Sequence, residues 1–435
     1  MPSGRVERLA RLGVMASGLA AGAVAERARR FMAGEDKPAR GRLILTERNA
    51  RQLAKNLSRM RGAAMKLGQL ISLENGVSLP VEFADAMTAL RNHSDSMPLP
   101  QLRGVLGREL GRGWQSRFKE FDEQPIASAS IGQVHRAVTR DGREIALKVQ
   151  YPGVATSISS DVDNLAALLR MTRILPESLE IRPVLAEVKR QLRRETDYLA
   201  EADALERYAA LIGDDPMFIV PGVHRDLTTR RVLAMDYVEG KPLQDLWEAK
   251  HPRKVRDTIG SAMQRLVFLE LFEFGYMQSD PNFANYLFSP SDGRLILLDL
   301  GAAVEIEPEL IDGYSRLSAA VVSKDRAAVR DIATEFGVIH PDEQAERVDS
   351  LIDLVLLCSE PLRGRGKFDY GGSDLPARAR KLALGLAFAP GRLQPPPPQA
   401  LFIHRKLGGT YLVCSRLAAR IDTRSLYLDH TAGRG

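Results

Sequence analysis

Hydrophobic and polar positions change period several times along this chain. From Gly62 to about Ser116 the apolar residues recur at helical spacing, with breaks at Leu79-Pro80 and from Met97 to Pro100. The period then shortens. Phe118 to Ile126 reads as a strand, Ala127 to Gly132 as a turn of small residues, and Gln133 to Thr139 as a second strand. Asp141-Gly142 is a hairpin signal, Glu144 to Gln150 reads as a third strand, and Pro152-Gly153 closes the unit. A long helix is expected from about Ile181 to Leu211. A strand pair follows, with Arg231 to Met235 its better-defined member, and Asp236 to Gly240 reads as a connector. Beyond it the pattern is helical, interrupted by a hairpin: Tyr286–Phe288, a turn at 289–293, and Arg294–Leu298. Gly275 is placed to stop the helix before that hairpin. Arg363 to Leu375 and the prolines 395–398 read as irregular or extended. The order is a small β-rich lobe, a connector, then a larger helical lobe.

With 435 residues, 44% hydrophobic and 27% charged, the chain has an ordinary globular composition and can bury a large two-lobed domain plus an extension. Cys358 and Cys414 lie far apart, which argues against a disulfide framework or a zinc site and fits a reducing cytoplasm. The net charge of +6 is uneven: residues 1–61 hold 14 Lys/Arg against 5 Asp/Glu, so +9 sits there and −3 elsewhere. The basic residues are not interleaved with aromatics and no reader motif is present, so no nucleic-acid partner is expected. Within that stretch the apolar run Leu12 to Ala25 is flanked by arginines. As a helix it would extend only about 21 Å, too short to span a bilayer. It would lie peripherally on a membrane surface with its arginines on anionic lipid headgroups. Gly18 and Gly22 form a small-x-x-x-small pair that would admit a second helix, and so a homodimer through these segments. Charges follow the run closely and no cleavage site precedes the domain, which argues against a secretory signal.

The chemistry concentrates in Asp280-Pro-Asn-Phe-Ala-Asn285, followed by Leu297-Leu298-Asp299-Leu300-Gly301. An acid, an amide five residues on, and a second acid after a short hairpin are what phosphoryl transfer from a nucleotide requires. Asp280 would stand near the attacking group, with Asn285 and Asp299 as oxygen ligands for magnesium. Upstream, Lys148 lies on the third strand among Ile145, Leu147 and Val149. On a half-buried strand its side chain would face away from them or into a cleft, where an ammonium could meet phosphates. Glu195, Asp197, Glu201 and Asp203 offer carboxylates to hold such a lysine. On one helix Asp197 and Glu201 would share a face while Glu195 points elsewhere, so two cations could be held on two sides. Lys66 and Gln69, three apart around Gly68, would share a helical face and supply the second cation.

Taken in order, these motifs resemble those of the UbiB/AarF atypical kinase-like family, associated with coenzyme Q biosynthesis. The carriers are Lys66-Leu-Gly68-Gln69, the alanine-rich loop from Ala127 to Gln133, Lys148, Glu195-Thr-Asp197, Asp280 with Asn285, and Asp299-Leu-Gly301, over roughly Arg61 to Arg420. The basic N-terminal stretch and the segment from Leu401 to Tyr411 resemble the branch with mitochondrial members. The resemblance implies an α+β, protein kinase-like two-lobed fold with an N-terminal helical extension packed over the active site. It implies residues 1–61 as a membrane-proximal extension, 62–116 as the Lys-x-Gly-Gln element, 117–237 as the small lobe and 238–435 as the large lobe.

It also implies that Lys148 pairs with Glu201 and touches the phosphates of ATP or ADP, that Asn285 and Asp299 bind Mg2+, and that Asp280 takes the catalytic-acid position. Ala127, Ser128, Ala129, Ser130, Gly132 and Gln133 would line the nucleotide, with the backbone of Met235 to Val238 facing the adenine. Lys66, Gly68 and Gln69 would occlude the site, anchored by Glu195 and Asp197. Ser128 interrupts the alanine-rich stretch and could add a phosphate contact. Before Asp280 stands Gln278-Ser279, not His-Arg, so activation through a phosphorylated loop is not expected and a protein kinase acting in trans is disfavoured.

The leading expectation is a magnesium-dependent ATPase, with autophosphorylation or small-molecule or lipid kinase activity, serving ubiquinone biosynthesis at the membrane. Its partners would be quinone precursors and quinone-biosynthesis enzymes. Two other readings compete: a non-catalytic nucleotide-switched scaffold, and a small-molecule phosphotransferase, which would need an open acceptor pocket.

Overall fold

The computed structural model describes residues 96–172, 181–247, 251–280, 282–340, 342–388 and 397–431. The basic extension and the Lys66–Gly68–Gln69 element, with its expected packing over the active site, lie outside them. The described residues fall into two compact units. One runs through Ala202 and includes Val223–Tyr237; the other comprises Asp203–Gly222 and continues from Val238.

The first unit is a helix-backed antiparallel sheet. Helix α1 (Leu99–Glu109) starts at the expected proline break, with Pro100 in its first turn, where a missing N–H costs no hydrogen bond. Strands β1 (Phe118–Phe121), β3 (Gly132–Thr139), β4 (Glu144–Gln150) and β6 (Val232–Asp236) pair in that order, and β2 (Ala127–Ser128) pairs with β3. Leu102, Val105 and Leu106 of α1 pack with Ile145, Leu147, Val149, Val232 and Ala234 of the sheet and with Trp114. Hairpin β3–β4 turns at Gly142, whose φ of 88° favours glycine.

Several expectations change here. The first strand stops at Phe121, Ile126 is exposed, and the turn of small residues shrinks because Ala127 and Ser128 pair with Val134 and Gln133. Strand β4 is buried on both faces from Ile145 onward, not half-buried. After α2 (Val154–Thr172), the single long helix is two: α3 (Ile181–Glu195) and α4 (Tyr198–Ile212). The break is chemical. Asp197 Oδ1 accepts the Leu199 N–H at 3.2 Å and Thr196 Oγ1 bonds back to Arg193 O at 2.7 Å, local bonds that favour a cap over a helix interior.

The second unit takes Asp203–Gly222, which the sequence places with the β-rich lobe. The reason is pairing: β5 (Phe218–Ile219) runs parallel to β10 (Leu295–Leu297) and does not pair with β6. The sheet order is β5-β10-β9-β7, with β7 (Lys241–Pro242) and β9 (Tyr286–Phe288). Helix α5 (Arg253–Phe268) continues as a wider π-type turn, Leu269–Phe274, and ends at Gly275 in the left-handed conformation, as expected. Strand β8 (Tyr276–Gln278) pairs with β11 (Ala303–Glu305), bracketing the Asp280–Asp299 region. Helices α6 (Pro308–Ser323), α7 (Arg326–Glu335), α8 (Ala345–Cys358) and α9 (Glu360–Arg363) follow. The region read as irregular contains a short strand, β12 (Phe368–Asp369). After α10 (Leu375–Phe388), helix α11 (Pro398–Arg416) opens on the last proline of the run. Strand β13 (Arg420–Ile421) pairs with β12, and α12 (Thr423–Thr431) ends the described chain. Phe268, Phe272, Ile403 and Tyr427 anchor its core.

Candidate active site

In the first unit the sheet presents Lys148 opposite Val134 and Leu233. The side chains of Lys148 and of Glu201 on α4 are 9% and 4% exposed, and Nζ lies 2.5 Å from Glu201 Oε1. The ring of Tyr198 lies 5.1 Å from the same ammonium. Within the Glu195–Asp203 segment, Glu201 on α4 is ion-paired with Lys148, while Glu195 and Asp197, at and before the helix break, meet other partners. Glu195 ends α3 and accepts from Ser130 Oγ at 2.6 Å. Asp197 caps α4 and meets Arg230 at 3.2 Å. Ala127 and Ser128 are exposed, and Ala129 N–H bonds Gly132 O at 2.9 Å, folding the loop back on itself. Gly132 admits no side chain: a Cβ there would lie 2.5 Å from Val149 O and 2.9 Å from Tyr198 Oη.

Gln133 departs from expectation. Its side chain is turned to the interior, where Oε1 accepts the Met97 N–H and Nε2 meets His135 Nε2, both at 2.7 Å. Since His135 Nδ1 lies 2.7 Å from Asp122 O, which can only accept, Nδ1 carries the proton and Nε2 accepts from Gln133. Burial lowers the His135 pKa and keeps the ring neutral. Gln133 therefore ties the loop to the sheet with its amide turned to the interior. Met235 is buried on β6 in register with Ala146, Tyr237 N–H donates to Glu144 O at 3.0 Å, and Val238 is half-buried on the connector.

In the second unit one side chain ties the Asp280 and Asp299 loops together. Gln278, buried at the end of β8, accepts the Asp280 N–H through Oε1 at 3.1 Å, and its Nε2 donates to the Asp299 main-chain oxygen. Ser279 Oγ adds a 2.8 Å bond to Ala302 O. Asn282 caps the short helical turn that carries Asn285, whose Nδ2 stands 3.5 Å from Asp280 Oδ2, and Leu298 N–H donates to Asn285 O at 2.9 Å. Asp299 Oδ1 accepts from Gly301 N–H at 3.2 Å, turning the Asp-x-Gly segment. Asp280, Asn285 and Asp299 thus belong to one hydrogen-bonded assembly. Among the described residues no three His, Cys, Asp or Glu side chains cluster as a metal site. Asn285 and Asp299 nonetheless fit Mg2+, because they offer hard oxygen donors in a small set of the kind that substrate phosphates and water complete.

Beneath this assembly lies a buried network that motif spacing did not reveal. Lys406 of α11 is 1% exposed and Glu270 of the π-type turn is 0% exposed, with Nζ 2.7 Å from Oε2 and 2.8 Å from Oε1. Lys406 also donates to Tyr286 Oη at 3.2 Å. Tyr208 donates to Glu270 at 2.7 Å and accepts the Gln278 N–H at 2.9 Å. Burial alone would push Lys406 down, but the neighbouring Glu270 and Tyr286 outweigh it and carry its pKa above the ordinary lysine value, so it is charged at neutral pH. Burial likewise raises the Tyr208 pKa and keeps the phenol protonated as a donor. In the sequence Lys406 follows His404-Arg405 and Glu270 stands near Glu273, so neither is marked out from an ordinary charged position.

A sheet lysine ion-paired to a helix glutamate, together with an Asp-x-x-x-x-Asn loop bonded to an Asp-x-Gly segment, defines a protein of the kinase-like class. Residues 89–333 match the ABC1 atypical kinase-like domain. The chain belongs to that family, the UbiB/AarF group. It is 38% identical to the atypical kinase COQ8B, mitochondrial, of Rattus norvegicus, over 99% of this chain and 81% of that protein. To the atypical kinase COQ8, mitochondrial, of Saccharomyces cerevisiae it is 34% identical, over 98% and 85%. A solved structure of Rv3197 from Mycobacterium tuberculosis, in complex with erythromycin, matches with a TM-score of 0.62 and 26% identity, covering 88% of this chain and 95% of that one. The kinase-like α+β class and the likeness to mitochondrial members thus stand as expected. Among the described residues no helix is long and apolar enough to cross a membrane.

Proposed function

We propose that the protein is a magnesium-dependent ATP-hydrolysing or phosphotransferring enzyme that serves coenzyme Q biosynthesis at a membrane surface. The observation that supports this most is Gln278, whose single amide fixes both Asp280 and Asp299 from a fully buried position. Such preorganisation of acidic loops costs conformational freedom and is what charge stabilisation in phosphoryl transfer requires. In this reading Lys148, held by Glu201, donates to the nucleotide phosphates, and the backbone of the alanine-rich loop contacts them. Asp280 orients the attacking hydroxyl or water and accepts its proton. Asn285 and Asp299 hold Mg2+, which would supply neutralisation of phosphate charge. The names of the relatives support the assignment to coenzyme Q biosynthesis, with quinone precursors and the enzymes that process them as partners. The +9 charge of residues 1–61 supports anionic lipid as the surface.

The test is steady-state ATP turnover by the purified protein with phosphatidylcholine vesicles, with and without phosphatidylglycerol. Turnover by the wild type, raised by the anionic vesicles and lost in Asp280→Asn, is the expected result. Equal turnover by Asp280→Asn would remove the catalytic assignment. Unimpaired coenzyme Q synthesis in cells carrying that variant would favour the nucleotide-switched scaffold.

A further inference from the structure

A cavity of about 580 Å³ opens in the second unit where α5 and α12 begin. That volume lies within the range of small-molecule sites. Helix α5 has 16 residues, about 24 Å at 1.5 Å rise per residue, so its first turn lies a full helix length from the turn that leads to β8. Four cations line the cavity: Arg253 and Lys254 from the first turn of α5, Lys367 just before β12, and Arg420 on β13. Two carboxylates, Asp257 and Asp422, also line it, but each is engaged with backbone. Asp257 Oδ1 accepts the Arg420 N–H at 2.8 Å, and Asp422 Oδ1 caps α12 through the Ser425 N–H at 3.0 Å. The Arg420 guanidinium is aligned by Asp369 at 2.9 Å. Arg253, Lys254 and Lys367 have no carboxylate partner among the described residues. Four cations against two carboxylates leave the lining net positive, and the positive ends of two helix dipoles add to the same potential. Thr258, Ser261 and Ser425 contribute hydroxyl groups to the wall.

We propose that this cavity binds a phosphate-bearing anion, either a free phosphorylated metabolite or the headgroup of an anionic lipid. The anion would offset the positive charge of Arg253, Lys254 and Lys367 while the serine and threonine hydroxyls donate to its oxygens. The proposal does not rest on the nucleotide assignment, since the cavity shares no residue with Lys148, Asp280, Asn285 or Asp299.

The full-length protein is tested with two probes: inorganic pyrophosphate by titration calorimetry, with ADP and magnesium at saturation, and flotation with phosphatidylcholine vesicles containing phosphatidic acid. The pocket variant is Lys254→Glu/Lys367→Glu. Its control, Arg112→Glu/Lys119→Glu, makes the same change in net charge at exposed positions of the first unit. Circular dichroism checks that both variants are folded. The expected result is binding weakened at least about tenfold in the pocket variant and altered less than about twofold in the control, with affinity falling as salt rises. Loss of pyrophosphate binding identifies a free phosphate ligand, and loss confined to the vesicles identifies a lipid headgroup. If neither probe binds, or both variants bind like the wild type or weaken equally, the proposal is overturned.

Discussion

Replacing Lys406 by methionine tests the buried network under the Asp280 loop. The substitution keeps most of the side-chain volume and removes one charge from a pair that is 0–1% exposed. At 2.7 Å and an effective dielectric constant of 20, the Coulomb attraction is about 6 kcal/mol. Desolvation of both ions offsets much of this in the intact pair. Removing one partner, however, strands Glu270 as an uncompensated buried charge, at a cost of about 3–5 kcal/mol. For a unit of this size that corresponds to a fall in Tm of roughly 6–20 °C. The partner Glu270→Gln/Lys406→Met variant removes both charges while keeping an amide oxygen to accept from Tyr208. It should recover most of the loss, since replacing a whole buried pair is often close to neutral. Calorimetric melting of the wild type, both single variants and the double variant at pH 7.5 closes the cycle. A Lys406→Met variant within about 1 kcal/mol of wild type, or a double variant no more stable than that single one, would refute the reasoning.

Three further outcomes follow from the geometry. Gly132→Ala sets a methyl group 2.5 Å from Val149 O and should cost about 1–3 kcal/mol in urea unfolding, since the backbone of β4 cannot move aside as a side chain could. Gln278→Leu should leave the Asp280 N–H and the Asp299 carbonyl without their partner and weaken the magnesium dependence of ATP binding about tenfold in a titration, with a smaller effect on binding without metal. Burial lowers the pKa of both His135 and His404, so the unfolded chain takes up protons first as pH falls through the ordinary imidazole value of 6.5. Stability is therefore full above 6.5 and declines below it, and thermal melts from pH 7.5 to 5 should show a shallower decline in His135→Gln/His404→Gln.

What the sequence revealed and what it hid divide along physical lines. Strand β4, the hairpin at Gly142, the Gly275 stop and the Asp280–Asp299 segment were legible because each depends on residues adjacent in the chain. The break between α3 and α4 was missed. Apolar spacing runs on through Thr196 and Asp197, and only the capping competition at those residues ends the helix. Across that break Glu201 pairs with Lys148 and Glu195 meets Ser130. The pairing of β5 with β10 and the Lys406–Glu270 pair join residues 77 and 136 positions apart, which no local pattern encodes. The bonds of Gln133 to Met97 and His135 were hidden for a related reason: the ligand role came from the family resemblance, and no local pattern shows a side chain turned to the interior.

In the proposed function Lys148, Asn285 and Asp299 serve one magnesium–nucleotide complex. Titration calorimetry of ATP into the wild type, Lys148→Met and Asp299→Asn, each with and without Mg2+, addresses it directly. The account predicts strong binding by the wild type that depends on the metal, and at least about a hundredfold loss of the metal-dependent component in Asp299→Asn. It also predicts weakened binding in Lys148→Met with and without the metal. Wild-type affinity and metal dependence in Asp299→Asn would contradict it.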